Sequence, residues 1–350
     1  MSTLEPISVR ADAPAVLELP PAHLELTWRP LQETDADALF ALVQAVEEAD
    51  APAQRESHDE VVELFEGAWK DLHRDSLGGF DASGALRAYG LVEVRPGDAR
   101  TVRAFLRGGV HPQWRGRGLG RAVSAWLEGR GRQKLVETGK ELPARLAVFV
   151  DEAARDQRRL WAAAGFSPVR WYTGMRRDLA APLPDAPVPD GVRIVPWSAE
   201  LDDAVRRAHN EAFADHWGSE PQTPETWRHD AHFRPAWSFV ALAEGGQPGD
   251  DHAPDAPVVA GYLLSGAYEQ DWEPLGYTCG STELLGVRRP WRGTGLGSAL
   301  LRHAMEAYRA DDMQYATLGV DTANPTGAHG LYVRLGYEPT QGQVLYSVEL

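Results

Sequence analysis

Two stretches of the chain, 114-WRGRGLGRAVS-124 and 291-WRGTGLGSALL-301, each set an arginine and three alternating glycines just ahead of a helix-forming run. Residues of that type and spacing suit an anion, above all a phosphate. Glycines let backbone N–H groups approach a ligand closely, and the first turn of a helix leaves its N–H groups without helical partners. The helix dipole favours negative charge at the same end, and Arg115 and Arg292 bring positive charge. Two familiar phosphate binders are excluded. No Gly-Lys-Ser/Thr closes either stretch, so neither is a P-loop. A dinucleotide fold wants G-x-G-x-x-G in an early strand–helix unit, with an acidic ribose partner about 20 residues on.

The loops belong to a larger repeat. An offset of 177 residues lays Gly109-Val110 on Gly286-Val287 and each glycine of the first loop on one of the second. A second block, 160-LWAAAGF-166, matches 331-LYVRLGY-337 at an offset of 171, and 29-RPLQETDADAL-39 pairs more faintly with 195-VPWSAELDDAV-205. Three blocks in one order indicate a duplicated unit of roughly 150 residues. The expected organisation is an N-terminal tail over 1–22, a first copy over 23–179, a proline-rich linker over 180–190 and a second copy over 191–350.

In the second copy the pattern predicts a strand at 192–197, a helix over 202–213 and a hairpin with a long polar tip at 244–257. A strand at 281–287, the glycine loop and a helix over 295–309 follow. Then come a strand at 315–321, a short helix within 327–336 and a closing strand at 343–350. That order is α+β, with a mixed sheet and helices layered on it.

Composition narrows the classes. The 350 residues are 43% hydrophobic and 25% charged, ordinary for a packed protein. A formal charge of −16 argues against non-specific nucleic-acid binding, and no apolar run reaches the roughly 20 residues that span a bilayer. The single cysteine, Cys279, excludes an internal disulfide framework and a cysteine zinc site, and no metal-ligand spacing is present. With no export signal read at the N-terminus, these features lead us to expect a cytoplasmic protein, monomeric or homodimeric, with no nucleic-acid or membrane partner.

The glycine loop together with 324-NPTGAHGLYVRLGY-337 resembles the GNAT (Gcn5-related N-acetyltransferase) superfamily over about 25–179 and 190–350. The duplication, linker and strand order are also similar to those of the mycothiol synthases, a tandem branch. The resemblance implies two tandem folds, each with a mostly antiparallel sheet splayed at an acetyl-coenzyme A site. It implies an acetyl-CoA-dependent N-acetyltransferase acting on a primary amine of a small molecule by direct attack. A mycothiol-synthase-like acceptor, the amine of a cysteinyl pseudodisaccharide, and a non-catalytic acyl-CoA sensor or scaffold are the alternatives. On the coenzyme side it implies Leu285, Val287, Arg292, Gly293, Thr294, Gly295, Leu296, Gly297, Ser298 and Asn324. In the first copy the counterparts are Val110, Arg115, Gly116, Arg117, Gly118, Leu119 and Gly120.

Tyr332 matches the family's general acid. The family's usual glutamate falls on Ser281; Glu283, two residues on and on the same face by strand alternation, is open as a base through a water or as a structural hydrogen-bonding residue. His216 is a further base candidate. The first copy has Trp161 where the second has Tyr332, and ungapped alignment sets Ala104 and Leu106 against Ser281 and Glu283. An indole returns no proton to a thiolate, so the first copy is expected to be catalytically impaired. The acceptor is expected beside 213–227 and 262–274, rich in aromatics (Trp217, Trp227, Tyr268, Trp272) and acids (Asp215, Glu220, Asp271) that suit a cation or simply pack.

Overall fold

The computed structural model describes residues 4–52, 54–67, 69–244, 258–323 and 328–350. Asn324 and the tip of the predicted hairpin lie outside the described residues. In the first half, helices α1 (Ile7–Arg10) and α2 (Ala36–Asp50) flank strand β1 (Thr27–Arg29). Helices α3 (His58–Glu63) and α4 (Leu72–Asp75) lead to strands β2 (Ser76–Phe80), β3 (Leu86–Val94) and β4 (Val102–Val110). Helix α5 (Leu119–Glu137), β5 (Ala144–Asp151), α6 (Arg155–Ala163) and β6 (Ser167–Asp178) follow.

The second half repeats that order: β7 (Val192–Pro196), α7 (Ala199–Ala212), β8 (Phe239–Ala243), β9 (Val258–Gly266), α8 (Glu269–Leu275) and β10 (Cys279–Val287). It ends with α9 (Leu296–Ala310), β11 (Tyr315–Asp321), α10 (Ala328–Arg334) and β12 (Glu338–Glu349). Residues 182–189, in the proline-rich stretch, carry no helix or strand. Among the described residues no helix is long and apolar enough to cross a membrane.

Two compact units result, and they are not two contiguous halves. One is Met1–Trp171 with Gly342–Leu350; the other is Tyr172–Gln341. Each unit takes the last strand of the other copy. The first has strand order β1-β2-β3-β4-β5-β12, with Val344, Leu345 and Tyr346 set against Val150, Phe149 and Val148 of β5. The second has order β7-β8-β9-β10-β11-β6, with Tyr172–Asp178 set against Asp321–Tyr315. This differs from the cut expected at the linker, because an alternating strand pattern states which face is buried and leaves the partner strand unstated.

In each unit one parallel pair, β4/β5 or β10/β11, interrupts an otherwise antiparallel sheet. Helix α5 packs Val123, Trp126 and Leu127 on one face of the first sheet, while α2 and α3 bring Leu39, Leu42 and Val61 to the other. In the second unit α9 covers one face with Leu300, Leu301 and Met305, and α7 covers the other with Val205 and Ala208. The layering is α/β/α. One packing detail marks the duplication: a Cβ at Gly109 would strike the ring of Tyr89, and a Cβ at Gly286 the ring of Tyr262.

The opening residues also depart from a tail. Ile7 and Ala11 are buried in the first unit's core, and Arg132 and Gln133 of α5 donate to the Ala11 and Pro14 carbonyls at 2.7 and 2.8 Å. The strand exchange carries a prediction. A chain ending at Gln341 removes the part of β12 that pairs with β5, and with it Val344, Leu345 and Tyr346, which are nearly inaccessible. Each such side chain contributes about 1.5–3 kcal/mol by burial, so their joint loss is of the order of a whole domain's net stability. Calorimetry of the truncated chain should therefore show the first unit's unfolding transition lost or shifted far down.

Candidate active site

The second unit's sheet opens where the site lies. Strands β10 and β11 are paired only from Cys279↔Tyr315 to Thr282↔Leu318. Beyond that, β10 continues against β9 as far as Val287, and β11 against β6 as far as Asp321. The strands diverge, and a cleft of about 870 Å³ fills the gap, lined by Glu283, Leu285, Val287, Gly319, Tyr332 and residues of the glycine loop.

A bulge sets which side chains enter from which face. On β10, Thr282 stands opposite Ser265 of β9 while Leu284 stands opposite Leu264, so Glu283 is an extra residue with no partner position. Thr282 and Ser265 both meet the Tyr308 hydroxyl of α9, at 3.2 and 2.7 Å. Leu284 packs with the α7-side core, whereas Leu285 and Val287 pack with the α9-side core. Glu283 and Leu284 thus share the α7 face, and alternation resumes with Leu285 toward α9.

The loop enters α9 with Gly293 and Gly295 at φ +78° and +90°, values that side-chain-bearing residues rarely adopt. A Cβ at either would meet nothing within 4 Å, so the loop borders open space. The first helical bond is Ala299 N–H to Gly295 C=O at 3.1 Å, which leaves the preceding N–H groups of the turn for a ligand. Arg292 is a brace: its Nε donates to the Val287 carbonyl and its guanidinium to the Ala212 carbonyl at the end of α7. The Thr294 hydroxyl donates to the Trp291 carbonyl, and the Leu296 side chain is core. Arg292 and Leu296 line the cleft, while their side chains are also spent on bracing and packing.

Tyr332 comes from α10 on the α9 side and is 8% exposed, edge-on to Tyr337 at 5.9 Å. Burial pushes its hydroxyl up to about 12, so it stays protonated through neutral pH. Glu283 sits on the opposite face. It is exposed to the cleft, and desolvation by the surrounding protein raises its pKa above the ordinary 4.5. Hydrogen bonds from the Ser281 and Tyr268 hydroxyls oppose that rise, Asp230 adds to it, and His232 works against it. His232 in turn stacks on Tyr268 at 4.7 Å and faces the Ala267 carbonyl through Nδ1 at 3.2 Å. A buried phenol and a carboxylate of raised pKa, on opposite faces of one cleft, can respectively donate and accept a proton near neutral pH.

The first unit keeps the loop and departs elsewhere. Gly116 and Gly118 repeat the same φ values, +78° and +93°. Strand β4 runs against β3 in one unbroken register from Val110↔Ala88 to Ala104↔Val94. Leu106 therefore pairs with Val92 and points into the α5-side core, and Glu283 has no counterpart there, a finer statement than the ungapped alignment allowed. Trp161 is 6% exposed and packs on Phe166. A Cβ at Gly118 would meet Leu24 at 3.7 Å, and Arg115 is held by Asp50 in a bidentate pair at 2.6 and 2.8 Å. Arg117 lies over the Trp114 ring, and Leu119 is core.

The expected acceptor residues divide. Trp227 donates to Asp202, which also accepts from Trp197 and faces His229, and Trp272 donates to the Cys279 carbonyl. Both are packing residues, and Glu220 and Asp271 are buried. Asp215 and His216 do line the cleft, Asp215 paired with Arg289. Phe213, in the expected stretch, lines it as well; sequence reasoning missed Tyr172, Gly319 and Arg334, which line it too. No pattern pointed to Tyr172, since its strand belongs by sequence to the other copy.

With this geometry in view, comparison with known proteins is direct. Residues 203–337 match the model of the acetyltransferase (GNAT) family. The mycothiol acetyltransferase of Thermobispora bispora is 32% identical over 247 residues, 68% of this chain and 73% of that one. Its counterpart in Nocardia farcinica is 29% identical over 92% of this chain and 98% of its own. Among solved structures, a GCN5-related N-acetyltransferase from Sphaerobacter thermophilus covers 95% of this chain and 97% of its own at 26% identity, with a TM-score of 0.66. A tandem GNAT protein from the clavulanic acid biosynthesis pathway shares the fold at a TM-score of 0.66 and 21% identity, covering 93% of this chain and 98% of its own. The chain thus belongs to the acetyltransferase (GNAT) family, as an N-acetyltransferase of the tandem kind.

Proposed function

We propose that the second unit transfers the acetyl group of acetyl-CoA to a primary amine of a small molecule by direct attack in a ternary complex. The observation that carries this reading is the splayed cleft, with a proton-accepting carboxylate on one face and a buried phenol on the other. The residues fit the coenzyme: two glycines open to space at a helix N-terminus would hold its phosphates, and the β10 edge beyond Thr282, free of β11, would hold its pantetheine. When bound, it supplies an activated thioester. Glu283 takes the proton of the amine, directly or through one water, and the Tyr332 hydroxyl gives a proton to the departing sulfur. Both roles, and that of the loop residues, are our assignments.

The curated relatives' name favours a narrower acceptor, the cysteinyl amine of a cysteinyl pseudodisaccharide. That reading fits the two-unit length of the match to the Nocardia relative. We assign the first unit a supporting role, on Trp161, the unbroken β4 ladder and the Asp50 clamp on Arg115.

Native mass spectrometry during an acetyl-CoA titration tests the division of labour. Saturation at one equivalent is expected, abolished in Gly295→Trp and kept in Gly118→Trp. Two equivalents would assign coenzyme binding to the first unit as well. No binding at millimolar coenzyme would remove the acetyl-CoA reading.

A further inference from the structure

The two faces of the splayed sheet separate the residues that line its cleft. Met175 and Leu318 are a direct pair and both lie in the α9-side core. Counting along the two strands, Val320 and Thr173 share that face, while Gly319, Gly174, Asp321 and Tyr172 point the other way, toward the α7 face. Glu283 occupies that same face of β10. The α7 side of the cleft is thus built from Glu283 and Leu284 on β10, Gly319 on β11, Tyr172 on β6, and Phe213 and His216 beyond α7. The loop, Leu285, Val287 and Tyr332 make the α9 side.

We infer that Tyr172 forms the far wall of the acceptor pocket and sets acceptor specificity. This rests on the reading of the cleft as an acetyl-transfer site and adds to it a residue the second copy does not encode. Tyr172 stands opposite Asp321, two residues beyond Gly319 on β11; a Cβ at Gly319 would have nothing within 4 Å, so the floor of the cleft that Tyr172 and Glu283 both line is open there for a molecule. An acceptor whose amine reaches Glu283 lays its remaining body along that floor toward Tyr172. The ring is half-buried and offers a rigid surface, apolar on its face and polar at its tip. It therefore selects acceptors that carry a ring or other flat body beyond the amine, and discriminates against short aliphatic amines. The strand that bears it comes from the first copy, so the second copy alone, 191–350, lacks this wall together with β11's partner strand.

Bisubstrate probes test this without turnover. In each, the CoA sulfur is joined through a –CH2–CO– link to an amine: one derived from a cysteinyl glucosaminide, one from ethylamine. Their affinities are compared with that of CoA alone by calorimetry, in the wild type, Tyr172→Ala and Tyr172→Phe, with the melting temperature of each variant recorded. We expect the glucosaminide probe to gain at least about tenfold over CoA in the wild type, the scale of burying one aromatic contact. That gain should be lost in Tyr172→Ala and largely kept in Tyr172→Phe, with CoA affinity unchanged throughout. The ethylamine probe should be insensitive to both variants.

A gain that survives in Tyr172→Ala overturns the assignment, as does a wild type in which neither acceptor half adds affinity. In that last case intact CoA binding leaves the acetyl-CoA reading standing, so the two failures are distinguishable. Should the alanine variant melt early, the phenylalanine variant together with Tyr172→Leu repeats the comparison on a folded strand.

Discussion

Tyr332→Phe is expected to lower kcat by about 100-fold or more while leaving acetyl-CoA affinity within about twofold. The variant deletes one oxygen. Tyr332 makes no hydrogen bond within reach among the described residues, and its ring packs against Tyr337 and the α9-side core. Removing the hydroxyl therefore leaves no buried partner unsatisfied, and the melting temperature at neutral pH should hold or rise slightly. Loss of kcat without loss of stability or coenzyme affinity is the signature of a group used in the transition state alone. An unchanged kcat would deny the hydroxyl its role as donor and favour a binding module over an enzyme mechanism of this form. Stability supplies a second check. Burial raises the Tyr332 pKa from about 10 to about 12, so the neutral form is the one folding favours. The stability tied to that preference is present below pH 10 and is lost as pH rises toward 12. The phenylalanine variant should lose that part of the alkaline sensitivity.

How much of this was legible beforehand follows from what each feature depends on. The glycine loop was readable because its function is carried by backbone, and only glycine tolerates the φ of +90° at Gly295. Helix α9 was expected at 295–309 and runs Leu296–Ala310, since its apolar face recurs at helical spacing. Placing Glu283 on the face of Ser281 needed only alternation. That it is an inserted residue needed the partner strand, because a bulge is a mismatch between two strands and shows in neither alone. The strand exchange was invisible for the same reason: the stretch at 343–350 reads as a closing strand, and its own pattern does not say that it closes the other copy's sheet. Tyr172 went unseen with it. The tryptophans of 213–274 were open either way, as a cation site or as packing. Composition could not say that Trp227 and Trp272 spend their indole N–H groups on Asp202 and a backbone carbonyl.

Glu283→Gln should reduce kcat/KM by about 100-fold at neutral pH and remove the acid limb of its pH profile. The substitution preserves shape and leaves an amide oxygen to accept from the Ser281 or Tyr268 hydroxyl, so the bulge and the cleft wall persist. Only the capacity to take a proton is lost. In the wild type, burial holds the Glu283 pKa above 4.5. The active, ionised form is therefore depleted as pH falls through that raised value, at a higher pH than for a carboxylate in water. Rates measured from pH 5 to 9 should show that limb in the wild type and a flat, low line in the variant. The sign for stability is the reverse of that for activity. A carboxyl with a raised folded-state pKa favours the folded chain while protonated, and this contribution fades as pH rises through the folded value. Glu283→Gln, neutral at every pH, should then be at least as stable as the wild type at pH 8. A variant that keeps both its rate and its acid limb would move the base to another cleft residue, with His216 the next to replace. If Glu283 does take the proton, the inserted residue of β10 distinguishes the working unit from a first copy whose unbroken β4 ladder carries Phe105 and Arg107, and no inserted carboxylate, toward the matching face.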